Sequence, residues 1–484
     1  MFTEKNGLKH YRHCVDGAWL EGTGRIEVEN PATGEIFATV PAGGAAEAAL
    51  AAEAAARAQP DWEALPPIRR ADHLRRLAAL IERDGEALAR LVTMEQGKPV
   101  AEARGEVQGT ALYLTYAAEE ARRITGDILP SDEPDEQVWI QRAAHGVVVA
   151  LTAWNYPLAL TTRKLGPALV TGNTVVVKPH EGTPLSALHI AALVIEAGLP
   201  KGVVNVVTGT GRELGDALVR HPRTALVTLT GSVRAGREVF AAAADGLKVL
   251  RLELGGKAPF IIAEDADLDR AVDAAIASRF ENCGQICICN ERMYVVDSVA
   301  DRFMERFLER VRQLKVGDPF DAVDVGPKFS AAELAKVEAM VEAAKAAGAE
   351  VLAGGHRLTD GRFARGHWYA PTVLAGVDHS MDVMRQEIFG PVVPIMRLAS
   401  FDEALRLSND TRYGLSAYVF TRDIRRLMRL TRELHFGEIY VNRPGADAVH
   451  AHHAGYGDSG LGGEDGKYGI EGYLRKKTVY VNWA

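Results

Sequence analysis

Cysteine is scarce in this chain, with four among 484 residues, and three of those four fall within residues 280–289. That distribution excludes the disulfide framework of a small secreted domain. Long hydrophobic runs are missing as well. No apolar stretch reaches the roughly 18 residues needed to cross a bilayer, and the opening MFTEKNGLKHYRHC lacks the apolar core of a signal peptide. Blocks of one charge sign are absent: Lys+Arg 56 against Asp+Glu 64 leave a formal net charge of −8, spread along the chain. Without a basic face or aromatic-basic interleaving, no nucleic-acid surface is expected. Internal repeats and low-complexity linkers are also lacking. These absences predict a soluble cytoplasmic protein. Its length and its 47% hydrophobic residues predict large cores and two or three domains.

What is present is an alternation of strand-like and helix-like segments. Short strands are expected over 14–19 and 25–28, then a turn at Asn30-Pro31-Ala32-Thr33-Gly34. Helices are expected over 45–58, after Pro66-Pro67, and from Pro99 to Arg122. Residues 124–143 read as a protruding ribbon with Pro130 and Pro134 in its loop. The run Gly146-Val147-Val148-Val149-Ala150-Leu151 is wholly apolar, which predicts a strand buried on both faces. Strands over 174–177, 203–207 and 226–229 alternate with helices over 184–196 and 213–220, the signature of a parallel, doubly wound sheet. A second α/β block begins near Leu254, with a strand over 259–262 and helices over 268–278, 300–314 and 331–347. Further strands are expected at 392–396, 419–420 and 439–441. The last segment, 477–483, is strand-like and free to pair outside its own domain.

The ten residues Phe280 to Cys289 hold the strongest candidate for chemistry. Thiolate is the nucleophilic form, and a free cysteine has a pKa of about 8.5. Cys287 follows a Gly-Gln turn whose backbone N–H and dipoles can lower it. The ordinary alternative is a small buried hydrophobe. A zinc site from Cys283, Cys287 and Cys289, recruiting His450, His452 or His453, is a further alternative, although CxxxCxC is not a usual structural-zinc spacing. Glu253 lies between Leu252 and Leu254, where a carboxylate is unusual and tends to a raised pKa. It can activate water, or it is a glutamate at a sheet edge. Asn155, in Trp154-Asn155-Tyr156-Pro157 after the buried strand, can present its amide to an oxyanion or simply turn the chain before proline. Two glycine stretches, Gly209-Thr210-Gly211 with Gly215 and Thr230-Gly231-Ser232 with Gly236, stand between a strand and a helix. Each suits a phosphate at a helix N-terminus or a plain connecting turn.

In their order and spacing these motifs resemble the aldehyde dehydrogenase superfamily over nearly the whole chain. The resemblance is carried by NPATGE at Asn30, EQGKP at Glu95, WNYP at Trp154, KPHEGTP at Lys178, TGS at Thr230, LELGGK at Leu252, GQIC at Gly284, EIFGPV at Glu387 and SGLGG at Ser459. It implies an α/β fold: a Rossmann-like parallel-sheet cofactor domain (1–122 and 145–254), an α/β catalytic domain (255–460) and a small β oligomerisation element (123–144 and 470–484). It implies that Cys287 attacks the aldehyde to give a thiohemiacetal whose oxyanion is held by the Asn155 amide and the Cys287 N–H. Hydride transfer then leaves a thioester, and Glu253 activates the water that hydrolyses it. The CoA-acylating branch lacks this glutamate, so a free acid is the implied product. Lys164, in RKLGPAL, matches a lysine near the asparagine. No metal is implied.

For the cofactor, the resemblance assigns Lys178 and Glu181 to the adenine-side ribose. A carboxylate there accepts from the 2′-OH and repels a 2′-phosphate, favouring NAD over NADP, although relatives often carry Ser where this chain has His180. Ser232 would meet the pyrophosphate, and Glu387 with Phe389 the nicotinamide ribose. Gly211, Gly215, Thr230, Gly231 and Gly255 complete the implied cofactor set. The C-terminal FGEIYVNRPGADAVHAHHAGYGDSGLGGEDGKYGIEGYL resembles the branch with lactaldehyde and glycolaldehyde dehydrogenases, in which an arginine, an acid and a histidine line the substrate mouth. The matching positions are Arg163, Asp447 and His453, the acid being one methylene shorter than the branch's glutamate. A small 2-hydroxyaldehyde is the implied substrate. Arg163 also suits a succinate-semialdehyde-like substrate, and a catalytically idle structural relative is the alternative of another class. A homodimer or homotetramer is implied by the ribbon and terminal strand.

Overall fold

The computed structural model describes residues 1–446 and 448–484. Its first large sheet has eight strands in the spatial order Gly460–Leu461, Val249–Glu253, Thr224–Thr230, Val147–Leu151, Thr174–Lys178, Val204–Val206, His13–Val15, Ala18–Leu20. The five middle strands, from Val249–Glu253 to Val204–Val206, pair in parallel, and the flanking short strands are antiparallel. Val147–Leu151 is buried along its length. Val148 and Ala150 pack into one apolar cluster, Val149 and Leu151 into another, as a strand covered by helices on both faces requires. This strand pairs with Thr174–Lys178 on one side and Thr224–Thr230 on the other. The winding reverses there, and ligands of such sheets bind outside the strands' carboxyl ends at that point.

A second sheet of seven strands runs Glu350–Ala353, Thr372–Ala375, Val392–Leu398, Asn290–Val296, Ala258–Ile262, Ser416–Phe420, Glu438–Val441, parallel except at its first pair. A three-stranded antiparallel ribbon joins Leu474–Asn482 to Glu136–Ala144 and Asp127–Pro130. A four-stranded sheet holds the N-terminal segments. Among the described residues no helix is long and apolar enough to cross a membrane.

Local chemistry accounts for the departures from the sequence reading. The strand expected over 14–19 is a hairpin, His13–Val15 with Ala18–Leu20, because Asp16 and Gly17 both adopt positive φ (53° and 72°); Asp-Gly favours such two-residue turns. The helix expected over 213–220 is a wide π turn, Gly211–Gly215, followed by Asp216–Arg220. The first helix runs Ala45–Ala64, through Pro60 rather than ending before it.

Candidate active site

The cysteine segment leaves the Leu268–Phe280 helix through three successive left-handed residues: Asn282 (φ 49°), Cys283 (φ 56°) and Gly284 (φ 69°). Two of them are not glycine, a conformation that costs on the order of 1 kcal/mol or more each. Buried hydrogen bonds hold it. Asn282 N–H donates to Glu102 (2.9 Å), Asn282 Oδ1 accepts from Gln96 Nε2 (2.9 Å), and Asn282 Nδ2 donates to the Asn155 carbonyl (3.1 Å). Asn155 Nδ2 donates in turn to the Gln285 carbonyl (3.0 Å). Arg279 donates to the Gly284 carbonyl (2.7 Å) and the Asn290 carbonyl (2.6 Å). The strand-end asparagine and the cysteine turn are thereby one hydrogen-bonded unit.

The three cysteines differ sharply in environment. Cys283 and Cys289 are buried, and burial pushes both thiols up to about 12. Cys287 keeps part of its surface accessible. Thiolate character and access together decide cysteine reactivity, so Cys287 is the one of the three suited to meet a substrate.

Glu253 ends the Val249–Glu253 strand and is 4% exposed. Burial raises its carboxyl well above the usual range, and His453 opposes that rise. His453 Nε2 lies 3.5 Å from Glu253 Oε2 and its Nδ1 3.1 Å from Glu438 Oε1. A backbone bridge between His453 and Glu464 ties the main chain of the two residues together. Two cations from the Pro157–Val170 helix adjoin this group. Lys164 pairs with Glu464 (2.5 Å) and donates to Thr228 (3.1 Å). Arg163 Nε donates to Asp465 Oδ1 (2.9 Å), its Nη2 donates to Asp465 Oδ2, and Glu464 Oε2 lies 3.3 Å away. Glu464 is pushed up by burial, yet Lys164 and Arg163 more than offset this and hold it low. Asp447 lies outside the described residues. Glu438, Glu464 and Asp465 belong to the site's electrostatics although no motif singled them out; the acidic pair after SGLGG was the available signal.

The residues assigned to a dinucleotide occupy strand ends and one helix start. Lys178 Nζ is 3.0 Å from Glu181 Oε2, at the carboxyl end of Thr174–Lys178. His180 accepts from Gly182 N–H (3.1 Å) and meets the Phe329 ring edge-on. Ser232 caps the Val233–Ala243 helix by accepting from Ala235 N–H (3.2 Å). The buried Thr230 hydroxyl beside it has no partner among the described residues. A fixed ammonium–carboxylate pair, a helix N-terminus and an orphaned hydroxyl fit a nucleotide with its pyrophosphate.

Gly255 lets the Glu387 carboxylate approach the backbone closely, since a Cβ there would lie 2.4 Å from Glu387 Oε2 and displace that side chain. Glu387 Oε1 accepts from Gly256 N–H (2.9 Å), and its carboxyl is pushed up to about 7 by burial and then by Glu291. Phe389, at φ 55°, donates its N–H to Glu291 (3.0 Å) and sets its ring edge-on to Trp154, which stacks on Phe329. A Cβ at Gly231 or Gly215 would meet only ordinary van der Waals contacts, and Gly211 faces open space. The position that needs glycine in that turn is Gly209, where a Cβ would fall 2.4 Å from the Gly43 carbonyl oxygen.

Comparison with known proteins agrees with this geometry. A family profile, the Aldehyde dehydrogenase family, matches residues 19–479. The chain is 48% identical over 479 residues to a 3,6-anhydro-alpha-L-galactose dehydrogenase of Vibrio sp. (strain EJY3), covering 98% of this chain and 100% of the relative. It is 42% identical to a lactaldehyde dehydrogenase of Escherichia coli (strain K12), covering 96% and 98%. A solved 3,6-anhydro-L-galactose dehydrogenase in complex with NADP (NAP) superposes with a TM-score of 0.97 at 47% identity, covering 98% of this chain and 100% of that one. The chain belongs to the aldehyde dehydrogenase family and is an oxidoreductase acting on aldehydes.

Proposed function

We propose that this chain oxidises an uncharged 2-hydroxyaldehyde to the free carboxylic acid, with NAD as the preferred hydride acceptor. Cys287 adds to the aldehyde carbon to give a thiohemiacetal, and the Asn155 amide with the Cys287 N–H holds the resulting oxyanion. Bound dinucleotide supplies the acceptor for the hydride, and a thioester remains on Cys287. Glu253 takes a proton from the water that attacks this thioester, and the acid leaves. The observation that carries the reading is the buried Glu253 carboxylate, paired with His453 at the end of a parallel strand. It supports a hydrolytic rather than an acylating enzyme. Lys178 and Glu181 hold the ribose in this reading, and the Glu181 carboxylate disfavours a 2′-phosphate. The relative solved with NADP makes that preference a quantity to measure.

Polar groups at the mouth suit a hydroxylated substrate, because an unpaired buried donor costs about 1–3 kcal/mol. Lactaldehyde, glycolaldehyde and open-chain 3,6-anhydro-L-galactose all carry a hydroxyl beside the aldehyde; relatives are named for the first and the last of these, and others for glutarate and succinate semialdehydes. The deciding experiment is a panel of these three aldehydes and succinate semialdehyde, each with NAD and with NADP, followed by nicotinamide absorbance. The expected result is the highest kcat/KM for a 2-hydroxyaldehyde with NAD. A preference for succinate semialdehyde overturns the substrate class, and a preference for NADP overturns the cofactor. The ribbon with Leu474–Asn482 is assigned to subunit contacts in a cytoplasmic dimer or tetramer, and 1–122 with 145–254, 255–460, and 123–144 with 470–484 are proposed as the cofactor domain, the catalytic domain and the oligomerisation element.

A further inference from the structure

Asp465 occupies a backbone conformation, φ 62° and ψ 167°, in which essentially only glycine is at ease. Its neighbours Gly462, Gly463 and Gly466 are also at positive φ, and all are glycine. An aspartate at such a position in a glycine-rich turn calls for a compensating interaction. The structure offers one: its carboxylate receives two N–H bonds from Arg163, with side-chain exposures of 3% and 8%. Paired N–H bonds from one guanidinium to one carboxylate fix both groups in orientation.

Arg163 and Lys164 both face the acidic pair Glu464 and Asp465. Glu253 and Glu438 adjoin His453, whose backbone is bridged to that of Glu464. A substrate carboxylate entering this group would add a negative charge beside the acidic side chains of Glu253, Glu438, Glu464 and Asp465. A hydroxyl would add none. We propose that Asp465 is a specificity-determining positioning residue: by neutralising Arg163 it admits uncharged hydroxyaldehydes and disfavours aldehydes that carry a carboxylate. This deepens the functional reading above and rests on its placement of Arg163 at the substrate mouth.

The test uses the full-length enzyme and two variants. Asp465→Gly suits the backbone and removes the carboxylate; Asp465→Asn keeps the shape and removes the charge. For each, kcat and KM are measured with glycolaldehyde and with succinate semialdehyde. The expected outcome is a rise of about tenfold or more in the semialdehyde-to-glycolaldehyde ratio of kcat/KM, as expected for a charged hydrogen bond made available, carried by a lower KM for the semialdehyde. The rise should vanish when Arg163→Met is added to Asp465→Asn. An unchanged ratio in the folded variants overturns the proposal. The wild-type enzyme gives an independent reading: succinate should not compete with glycolaldehyde at roughly millimolar concentration, the range of weak, unpaired ion contacts, and competition there also overturns it. A wild type that prefers succinate semialdehyde defeats the substrate class instead, while the variants' shift is still read against it.

Discussion

At the residue scale, burial decides what each titratable group is suited to do. Glu253 has its carboxyl pushed up to about 8, first by burial. A base must be deprotonated to take a proton from water, so thioester hydrolysis should rise as pH climbs towards that value and level above it. Where hydrolysis limits turnover, kcat should fall below pH 8, and Glu253→Gln should flatten the profile while lowering kcat by about 10²–10⁴-fold. A pH series of kcat for both proteins checks this, and a wild-type profile flat from pH 6 to 9 contradicts it. Glu253 and Cys287 stood out in the sequence because a lone acid between leucines and a cysteine after Gly-Gln are locally odd. Glu464 and Asp465 did not, because their partners Lys164 and Arg163 are some three hundred residues away and only folding brings them together. Asn282 was equally silent: its role lies in a left-handed φ and three distant partners, none encoded in its neighbours.

At the element scale, the segment Glu95-Gln96-Gly97-Lys98-Pro99 ties the helices behind the site to the cysteine turn. Glu95 accepts from the N–H groups of Leu185 (2.8 Å) and Ser186 (2.9 Å) and so caps the Leu185–Glu196 helix. Gln96 holds Asn282. Lys98 pairs with Glu106 (2.6 Å) over the Tyr156 ring, and Glu106 accepts from Leu158 N–H (2.9 Å) and Ala159 N–H (3.2 Å). A carboxylate at the start of the Pro157–Val170 helix suits the positive end of the helix dipole. Lys98 and Glu106 are fully buried, so removing one charge should harm more than removing both. Glu106→Gln is expected to cost about 3–5 kcal/mol, with Lys98→Met/Glu106→Gln milder than the single change. Denaturant unfolding of the three proteins measures it, and a double variant no better than the single one would refute the coupling. The alternation of strands and helices was legible from apolar runs such as Val147–Leu151, whose burial on both faces leaves a continuous hydrophobic signature. These caps were not, because an acid in a helix reads as solvated until the packed partner is known.

At the scale of the whole molecule, the ribbon presents apolar surface away from both large sheets. Leu474–Asn482 pairs with Glu136–Ala144 from end to end, Leu474 opposite Ala144 and Asn482 opposite Glu136. Ile128, Leu129 and Tyr480 on this sheet, and Trp483 just after its last strand, are exposed, Ile128 by 70% and Tyr480 by 69%. A cleft of about 750 Å³ opens at its base, lined in part by Trp139, Arg70 and Leu474. Clustered exposed aromatic and aliphatic side chains on an antiparallel sheet are the usual mark of a surface covered by another subunit. The proposed assembly should therefore be sensitive to charge on this ribbon and indifferent to it elsewhere. Tyr480→Glu with Trp483→Glu should lower the mass of the particle in light scattering by at least a factor of about two, because charges are excluded from the core of such contacts. The same double change made on the Ile424–Glu433 helix, at Ile424 and Met428, also exposed, should leave the mass unchanged. Activity per subunit separates two consequences of assembly. The hydrogen bonds from Gln96 and Asn155 that hold the Cys287 turn lie within the chain, so a dissociated subunit that still folds should keep its acylation step, and a loss of that step in a folded monomer would show that the site depends on its neighbour.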